Sequence, residues 1–205
     1  RIFRGHPFIV VPDVVTRLSR ERVIVQEFVH GTGFEELKAR PQAERDRLGE
    51  IVFRFFMGCL YRHHQFSGDP HPGNFLLLDD GRVAFLDFGL YKRMAPEAVE
   101  LELACQRAVA EDDAERLHEL LAGSGFLPHP EKADPDAVMS YVLDSIWWYT
   151  VDEEVQLTPE IATRVAIEAS DMRSSHFREM RHQDIRPEHL FGRRMEMLTL
   201  AVLSQ

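Results

Sequence analysis

The chain has 205 residues, 44% of them hydrophobic, which is enough for one buried core and too few for two independent domains. Its formal net charge of −10 argues against a nucleic-acid-binding protein, because contacts to phosphate require a basic surface. The two cysteines, Cys59 and Cys105, are too few for a disulfide framework and favour a reducing, cytoplasmic setting.

Two apolar runs open the chain, Phe8–Val15 and Val23–Val29, and the polar stretch Thr16–Arg22 separates them. Their β-branched residues predict a strand–turn–strand unit. The first run begins close to Arg1, without a methionine or a signal peptide before it, so we expect a preceding part of the fold to be missing. No apolar run reaches the roughly 18 residues that a membrane-spanning helix needs.

A long helix is predicted over Ala43–His64, with Pro41 suited to its first turn. The apolar residues of this helix recur at helical spacing and predict one broad buried face. They are Leu48, Ile51, Val52, Phe55, Phe56, Cys59 and Leu60.

A β-hairpin is predicted next, with strands Phe75–Leu78 and Val83–Leu86 joined by a tight turn at Asp80-Gly81. In this register Phe75 faces Leu86, and Asn74 faces Asp87. Both strands are apolar throughout, which favours a buried, rigid hairpin.

The rest of the chain predicts a helical body, since most of its periodic segments begin with a proline in the first turn. These segments are Pro96–Ala110, Ala114–Leu121, Pro135–Thr150, Pro159–Met172 and Pro187–Ser204. The predicted fold class is α+β and mostly α.

The residues that point to chemistry are Asp69, Asn74 and Asp87. Asn and Asp on adjacent strand ends supply oxygen ligands for Mg²⁺, which usually completes its shell with water and substrate phosphates. Asp69 lies on the loop that leads to Asn74, so it is placed to orient, or to accept a proton from, the group that attacks a terminal phosphate. The alternative is that all three are ordinary turn residues, since Asp and Asn are common in such loops.

Two motifs resemble the UbiB/AarF/ADCK family of atypical kinases. Gly68-Asp69-Pro70-His71-Pro72-Gly73-Asn74 is similar to the catalytic loop of that family, and Leu86-Asp87-Phe88-Gly89 is similar to its metal-binding motif. Upstream, the run from Val23 to Gly31 resembles the strand that leads into the adenine-binding hinge.

The resemblance implies Asp69 as the catalytic acid, and Asn74 and Asp87 as Mg²⁺ ligands. It also implies that the backbone of Glu27, Phe28 and Val29 forms the nucleotide hinge. The residues that support the loop are His71, Gly73, Phe88 and Gly89.

The resemblance implies a protein-kinase-like C-lobe, with residues 1–33 as the end of the N-lobe and the hinge, and residues 34–205 as the helical C-lobe. The expected cofactors are ATP and Mg²⁺. The expected partners are a quinone or isoprenoid lipid and a membrane surface, so the full-length protein would be cytoplasmic with membrane association and linked to ubiquinone biosynthesis.

The chain departs from the family pattern in two ways. Ser67 stands where the family usually has histidine. No segment resembles the phosphate-covering loop, the strand lysine or the Lys-x-Gly-Gln motif, so we expect this piece to be inactive by itself.

Two further functions stay open. Aminoglycoside and choline phosphotransferases share an Asp-x-His-x-x-Asn loop that is followed by a strand aspartate. A pseudokinase scaffold, which would use nucleotide binding only as a switch, would also preserve these residues.

Overall fold

A computed structural model of the chain describes residues 2–205. The described chain consists of two small sheets and a helical body. The strands are β1 (Ile9–Val10), β2 (Gln65–Ser67), β3 (Phe75–Leu77), β4 (Val83–Phe85) and β5 (Tyr91–Arg93). The helices are α1 (Phe34–Leu37), α2 (Gln42–His63), α3 (Pro96–Ala110), α4 (Ala114–Ser124), α5 (Pro135–Thr150), α6 (Pro159–Ser170), α7 (Phe177–Met180) and α8 (Pro187–Leu203). Across residues 2–205, none of the helices combines the length and the apolar character needed to cross a bilayer.

The predicted α+β, mostly α class is confirmed, and so is the buried face of α2. All seven apolar residues predicted for that face are buried. The helix begins one residue earlier than predicted, and Pro41 is its N-cap rather than part of its first turn. The ring of Phe55 stacks on that of Phe85, with centroids 3.6 Å apart, so α2 directly supports the hairpin strand β4.

The β-hairpin is confirmed, but the predicted register is wrong by one residue. Leu77 pairs with Val83, and the amide of Leu78 donates to the carbonyl of Arg82. The loop therefore has three residues rather than two, and its last residue, Gly81, has a φ of +82°. Three-residue hairpin loops commonly end in such a left-handed residue.

The prediction of two strands at the start of the chain is largely wrong. Only Ile9–Val10 is a strand, and it pairs in parallel with β4 rather than with the second apolar run. Between the two runs there is one antiparallel bridge, Val14 to Gln26. Their side chains lie largely in solvent, with Ile24 74% exposed, so they lack the packing that makes a β-branched run a stable strand.

The predicted helices of the body are present, with small differences at their ends. The helix from Ala114 extends to Ser124, because Gly125 (φ +85°) provides the left-handed residue that ends it. The last three predicted helix ends agree within two residues, at Thr150, Ser170 and Leu203. The pair of strands β2 and β5 was not predicted, since three polar-rich residues carry no alternation signal.

Gly31 lies where the opening segment touches the hairpin, and we expect Gly31→Ala to destabilise the protein by about 1–3 kcal/mol. A Cβ there would lie 2.6 Å from the carbonyl oxygen of Leu77, so the backbone would have to move. This movement would strain the paired hydrogen bonds between Thr32 and Leu77, which are 2.8 and 3.0 Å long. Urea unfolding of both proteins measures the change.

Gly58→Ala is the matched control, because a Cβ at Gly58 of α2 meets nothing within 4 Å. Alanine favours a helix interior over glycine by about 0.5–1 kcal/mol, so this variant should be more stable than the parent. Equal effects of the two substitutions would contradict the close contact at Gly31.

Candidate functional site

Two loops meet where the sheets adjoin, the segment 68–74 after β2 and the segment 86–90 before β5. The antiparallel pair β2 and β5 ties them together, and the amide of Gly68 extends this pairing by donating to the carbonyl of Leu90 at 2.9 Å. Ser67 is buried, and its hydroxyl donates to the carbonyl of Asp87 at 3.4 Å. The residue that departs from the family pattern therefore contacts the backbone of a predicted metal ligand.

Hydrogen bonds within the first loop hold Asp69 and Asn74 together. The carbonyl of Asp69 accepts from the side-chain amide of Asn74 at 3.2 Å and from the amide of His71 at 2.7 Å. The Nδ1 of His71 accepts a hydrogen bond from the amide of Gly73 at 3.0 Å. Pro70 is fully buried and anchors the loop between these contacts. His71 thus orders the loop through local bonds, with its own imidazole turned toward Gly73.

Asp87 lies beside Asn74, one residue out of the predicted alignment. The carbonyl of Asn74 accepts from the amide of Leu86 at 2.8 Å, so Leu86 rather than Asp87 faces Asn74. The exposed Asp87 accepts from the amide of Gly89 at 2.6 Å through Oδ1. Phe88 turns inward and approaches Phe55 edge-on, with centroids 6.4 Å apart. Gly89 and Phe88 therefore set the direction in which the Asp87 carboxylate points.

The oxygen atoms here fit a partial Mg²⁺ site. Asn74 uses its amide nitrogen within the loop, which leaves its carbonyl oxygen for a cation, and Asp87 adds a carboxylate. Residues 2–205 contain no group of three or more His, Cys, Asp or Glu side chains suited to a metal. Two protein ligands suit an ion that takes its remaining ligands from water and phosphate.

The predicted hinge lies at the far end of β3 from Asn74. Thr32, which follows the hinge closely, pairs with Leu77. Three residues of strand separate Leu77 from Asn74, about 10 Å at roughly 3.3 Å per residue. Two hydrogen bonds of 3.0 Å hold Glu27 to Asp13. The amide of Glu27 donates to the carbonyl of Asp13, and the amide of Asp13 donates to the carboxylate of Glu27. Phe28 is 83% exposed, and Val29 is half-buried.

Arg194 also lies at this site, although no sequence motif indicated it. Its guanidinium lies 3.1 Å from Oδ1 of Asp69, although 125 residues separate the two. No local pattern could have indicated this pair, because it depends on how the last helix packs against the loop 68–74.

A buried polar network on α3 and α8 was also missed. Glu102 accepts from Arg193 at 3.2 Å and contacts the Nδ1 of His189 at 2.6 Å. Glu196 accepts from Arg193 at 3.3 Å and from the hydroxyl of Tyr61 at 2.8 Å. The residues sit at helical positions that periodicity assigns to an ordinary polar face.

Burial and charge act differently on the two carboxyl groups of this network. Burial would raise the pKa of Glu102, but Arg193 and the hydrogen bond to His189 outweigh it and hold that pKa below its ordinary value. Burial raises the pKa of Glu196, although Arg193 acts in the opposite direction. Arg193 is therefore the residue that permits two carboxyl groups to lie close together in the interior.

Comparison with known proteins shows similar sequences in bacteria and plants. The profile of the ABC1 atypical kinase-like domain matches residues 1–121. An uncharacterized protein of Synechocystis is 30% identical over 138 residues, which are 66% of this chain and 24% of that protein. Activity of BC1 Complex Kinase 1, a chloroplastic protein of Arabidopsis thaliana, is 29% identical over 148 residues, 71% of this chain and 21% of its own length. The chain thus spans about a quarter or less of these relatives.

A solved structure shares the fold. Rv3197 of Mycobacterium tuberculosis, solved as a complex with erythromycin, superposes with a TM-score of 0.74 at 22% identity, over 98% of this chain and 50% of that one. The predicted kinase-like fold is confirmed by this likeness and by the family match. Since that match covers more than half of the chain and includes both motifs, the chain belongs to the ABC1 atypical kinase-like family, the UbiB/AarF/ADCK group.

Proposed function

We propose that the intact protein is an ATP-binding, Mg²⁺-dependent atypical kinase or ATPase. The observation that carries this proposal is the position of Asn74 and Asp87 on adjacent strand ends, with Asp69 joined to Asn74 by a hydrogen bond. Membership of the family favours this function over that of an aminoglycoside or choline phosphotransferase.

The site residues have two tasks in the proposed reaction, binding the metal and activating the attacking group. Mg²⁺ would supply charge neutralisation for the phosphates when bound. Asn74 and Asp87 would hold it through their oxygens. Asp69 would orient the attacking hydroxyl or water and accept its proton, as a carboxylate in this position can do.

We also propose that the protein acts in quinone or isoprenoid-lipid metabolism at a membrane surface. The support for this step is the family resemblance of the two motifs and of the hinge segment.

A second candidate is a nucleotide-dependent scaffold without catalysis. One contact favours it: Arg194 pairs with the Asp69 carboxylate at 3.1 Å, so the proposed base is already engaged. The pair is half exposed, with side chains 50% and 41% accessible, and such a pair is worth at most about 1 kcal/mol. An incoming substrate can therefore displace it at small cost.

Replacing the metal ligand tests the proposal. We expect Asp87→Asn to lower the Mg²⁺-dependent affinity for trinitrophenyl-ATP by at least about 100-fold, since loss of a residue that merely supports a ligand already costs about 10- to 100-fold in metal affinity. Asparagine keeps the oxygen that accepts from Gly89, so the turn should survive. Fluorescence titrations with Mg²⁺ and with EDTA measure the difference.

Asp79→Asn is the matched control, because Asp79 is an exposed carboxylate in the loop of the same hairpin. It makes the same change in charge and should leave the titration unchanged. The proposal fails if wild-type protein binds the nucleotide equally well with Mg²⁺ and with EDTA, or if both variants behave alike.

A further inference from the structure

A cavity of about 500 Å³ lies among the helices of the helical body. Its walls come from α3, α4, α5 and α8 and from the ends of α6 and of the segment before α8. Leu117, Leu121, Phe126 and Ile146 of one core cluster line it, and so does Trp148 of the other core cluster. The cavity thus lies where the two cores meet, and it has the size and apolar lining of a small-molecule site.

The mouth of the cavity is apolar as well. Ile185 and Leu190 line it and remain 44% and 54% exposed. Apolar side chains at the rim of an apolar cavity lower the cost of moving an apolar molecule from water to the interior.

Polar groups converge on the same cavity. The Nε2 of Gln183 is buried, and it has no hydrogen-bond partner among the described residues. A buried donor without an acceptor is costly, about 1–3 kcal/mol, so a ligand oxygen at that point would be stabilising. Four charged side chains line the cavity, and each has a partner of opposite charge: Arg193 pairs with Glu102 and Glu196, and Arg194 pairs with Asp69. No charge in the lining is left for a charged ligand, which favours a neutral one.

We propose that this cavity binds a neutral, mainly apolar small molecule that carries an oxygen acceptor, such as a ketone. The acceptor meets the amide of Gln183, and the apolar part fills the space between Leu117 and Trp148. Arg194, the residue that pairs with Asp69, also lines the cavity. A ligand in the cavity would therefore lie next to Arg194, which contacts the loop 68–74.

The probe for this site is prodan, a neutral naphthalene ketone whose emission shifts to shorter wavelength when it leaves water. We expect saturable binding to the intact protein in the absence of nucleotide. Ser145 lines the cavity on α5, and Ser145→Phe should fill it and weaken prodan binding by at least about tenfold. Ser140→Phe, on an exposed position of the same helix, is the matched control and should leave binding within about twofold.

A second variant keeps the test decisive if Ser145→Phe does not fold. Gln183→Leu preserves the apolar volume and removes the donor, so prodan should bind about fivefold more weakly. Naphthalene lacks an acceptor and should compete for the site equally well in both proteins.

Three outcomes overturn the inference: no saturable binding of prodan, equal loss in Ser145→Phe and Ser140→Phe, or unchanged binding in Gln183→Leu. None of them depends on ATP. Failure here would leave the proposed Mg²⁺-nucleotide function untouched, and failure of nucleotide binding would leave the cavity site untouched.

Discussion

Asp69→Asn should lower ATP turnover by about 10²- to 10⁴-fold while leaving Mg²⁺-nucleotide affinity within about threefold. The substitution removes the negative charge of Asp69 and its capacity to accept a proton, while asparagine keeps an oxygen that can accept from Arg194. The loop itself is held through the backbone carbonyl of Asp69, which the substitution does not change. Release of phosphate and titration with trinitrophenyl-ATP separate the two quantities.

The same experiment discriminates between the two candidate functions. A scaffold that only binds nucleotide does not turn ATP over, so the parent protein and the Asp69→Asn variant would show the same background rate. Asp79→Asn, with the same change in charge on the exposed hairpin loop, should retain full turnover. A turnover in Asp69→Asn that equals that of the parent protein would contradict a catalytic role for this carboxylate.

The parts of the fold that rest on local chemistry could be predicted. The spacing of apolar residues identified α2 and its buried face, and prolines in the first turn located the starts of α3, α5 and α8. The motif residues of the loop 68–74 and of Asp87–Gly89 were found because their identities and order are themselves the signal. Which residues hold the metal and the nucleotide remains a prediction, as does the division at residue 33.

The parts that depend on long-range packing could not be predicted. The hairpin register was wrong because Asp-Asp-Gly fits both a two-residue and a three-residue loop, and only the packing of Phe85 on Phe55 decides between them. The pairing of Ile9–Val10 with β4 is parallel and spans more than 70 residues, which no local pattern specifies. Arg194 and the network around Arg193 were missed for the same reason.

Arg193→Met should destabilise the protein by about 3 kcal/mol, more than any other change to a charged residue described above. The substitution keeps most of the side-chain volume but leaves the carboxylates of Glu102 and Glu196, which are 9% and 7% exposed, without their cation. Arg193 itself is 36% exposed toward the cavity, which places the expected cost at the lower end for buried ion pairs. Urea unfolding followed by fluorescence of the two tryptophans gives the free energy.

Arg194→Met is the matched control. Arg194 is next to Arg193 in sequence, but its partner Asp69 is partly exposed, so this substitution should lower the free energy of unfolding by less than about 1 kcal/mol. Adding Glu102→Gln to Arg193→Met should recover part of the loss, since it removes one of the unpaired charges. A loss as large in Arg194→Met, or no recovery in the double variant, would contradict the buried network as its source.

The pH dependence of this loss has a definite sign. In the parent protein the lowered pKa of Glu102 stabilises the fold above the ordinary carboxyl value of 4.5, and this contribution disappears as pH falls through the lowered pKa. Burial is the largest single influence on Glu102, so we expect the loss of Arg193 to raise the pKa of this carboxyl and its carboxylate to destabilise the variant as pH rises. The difference in unfolding free energy between the two proteins should therefore shrink as pH falls below 4.5 and grow toward neutral pH, because the role of Arg193 is to keep Glu102 ionised inside the helical body.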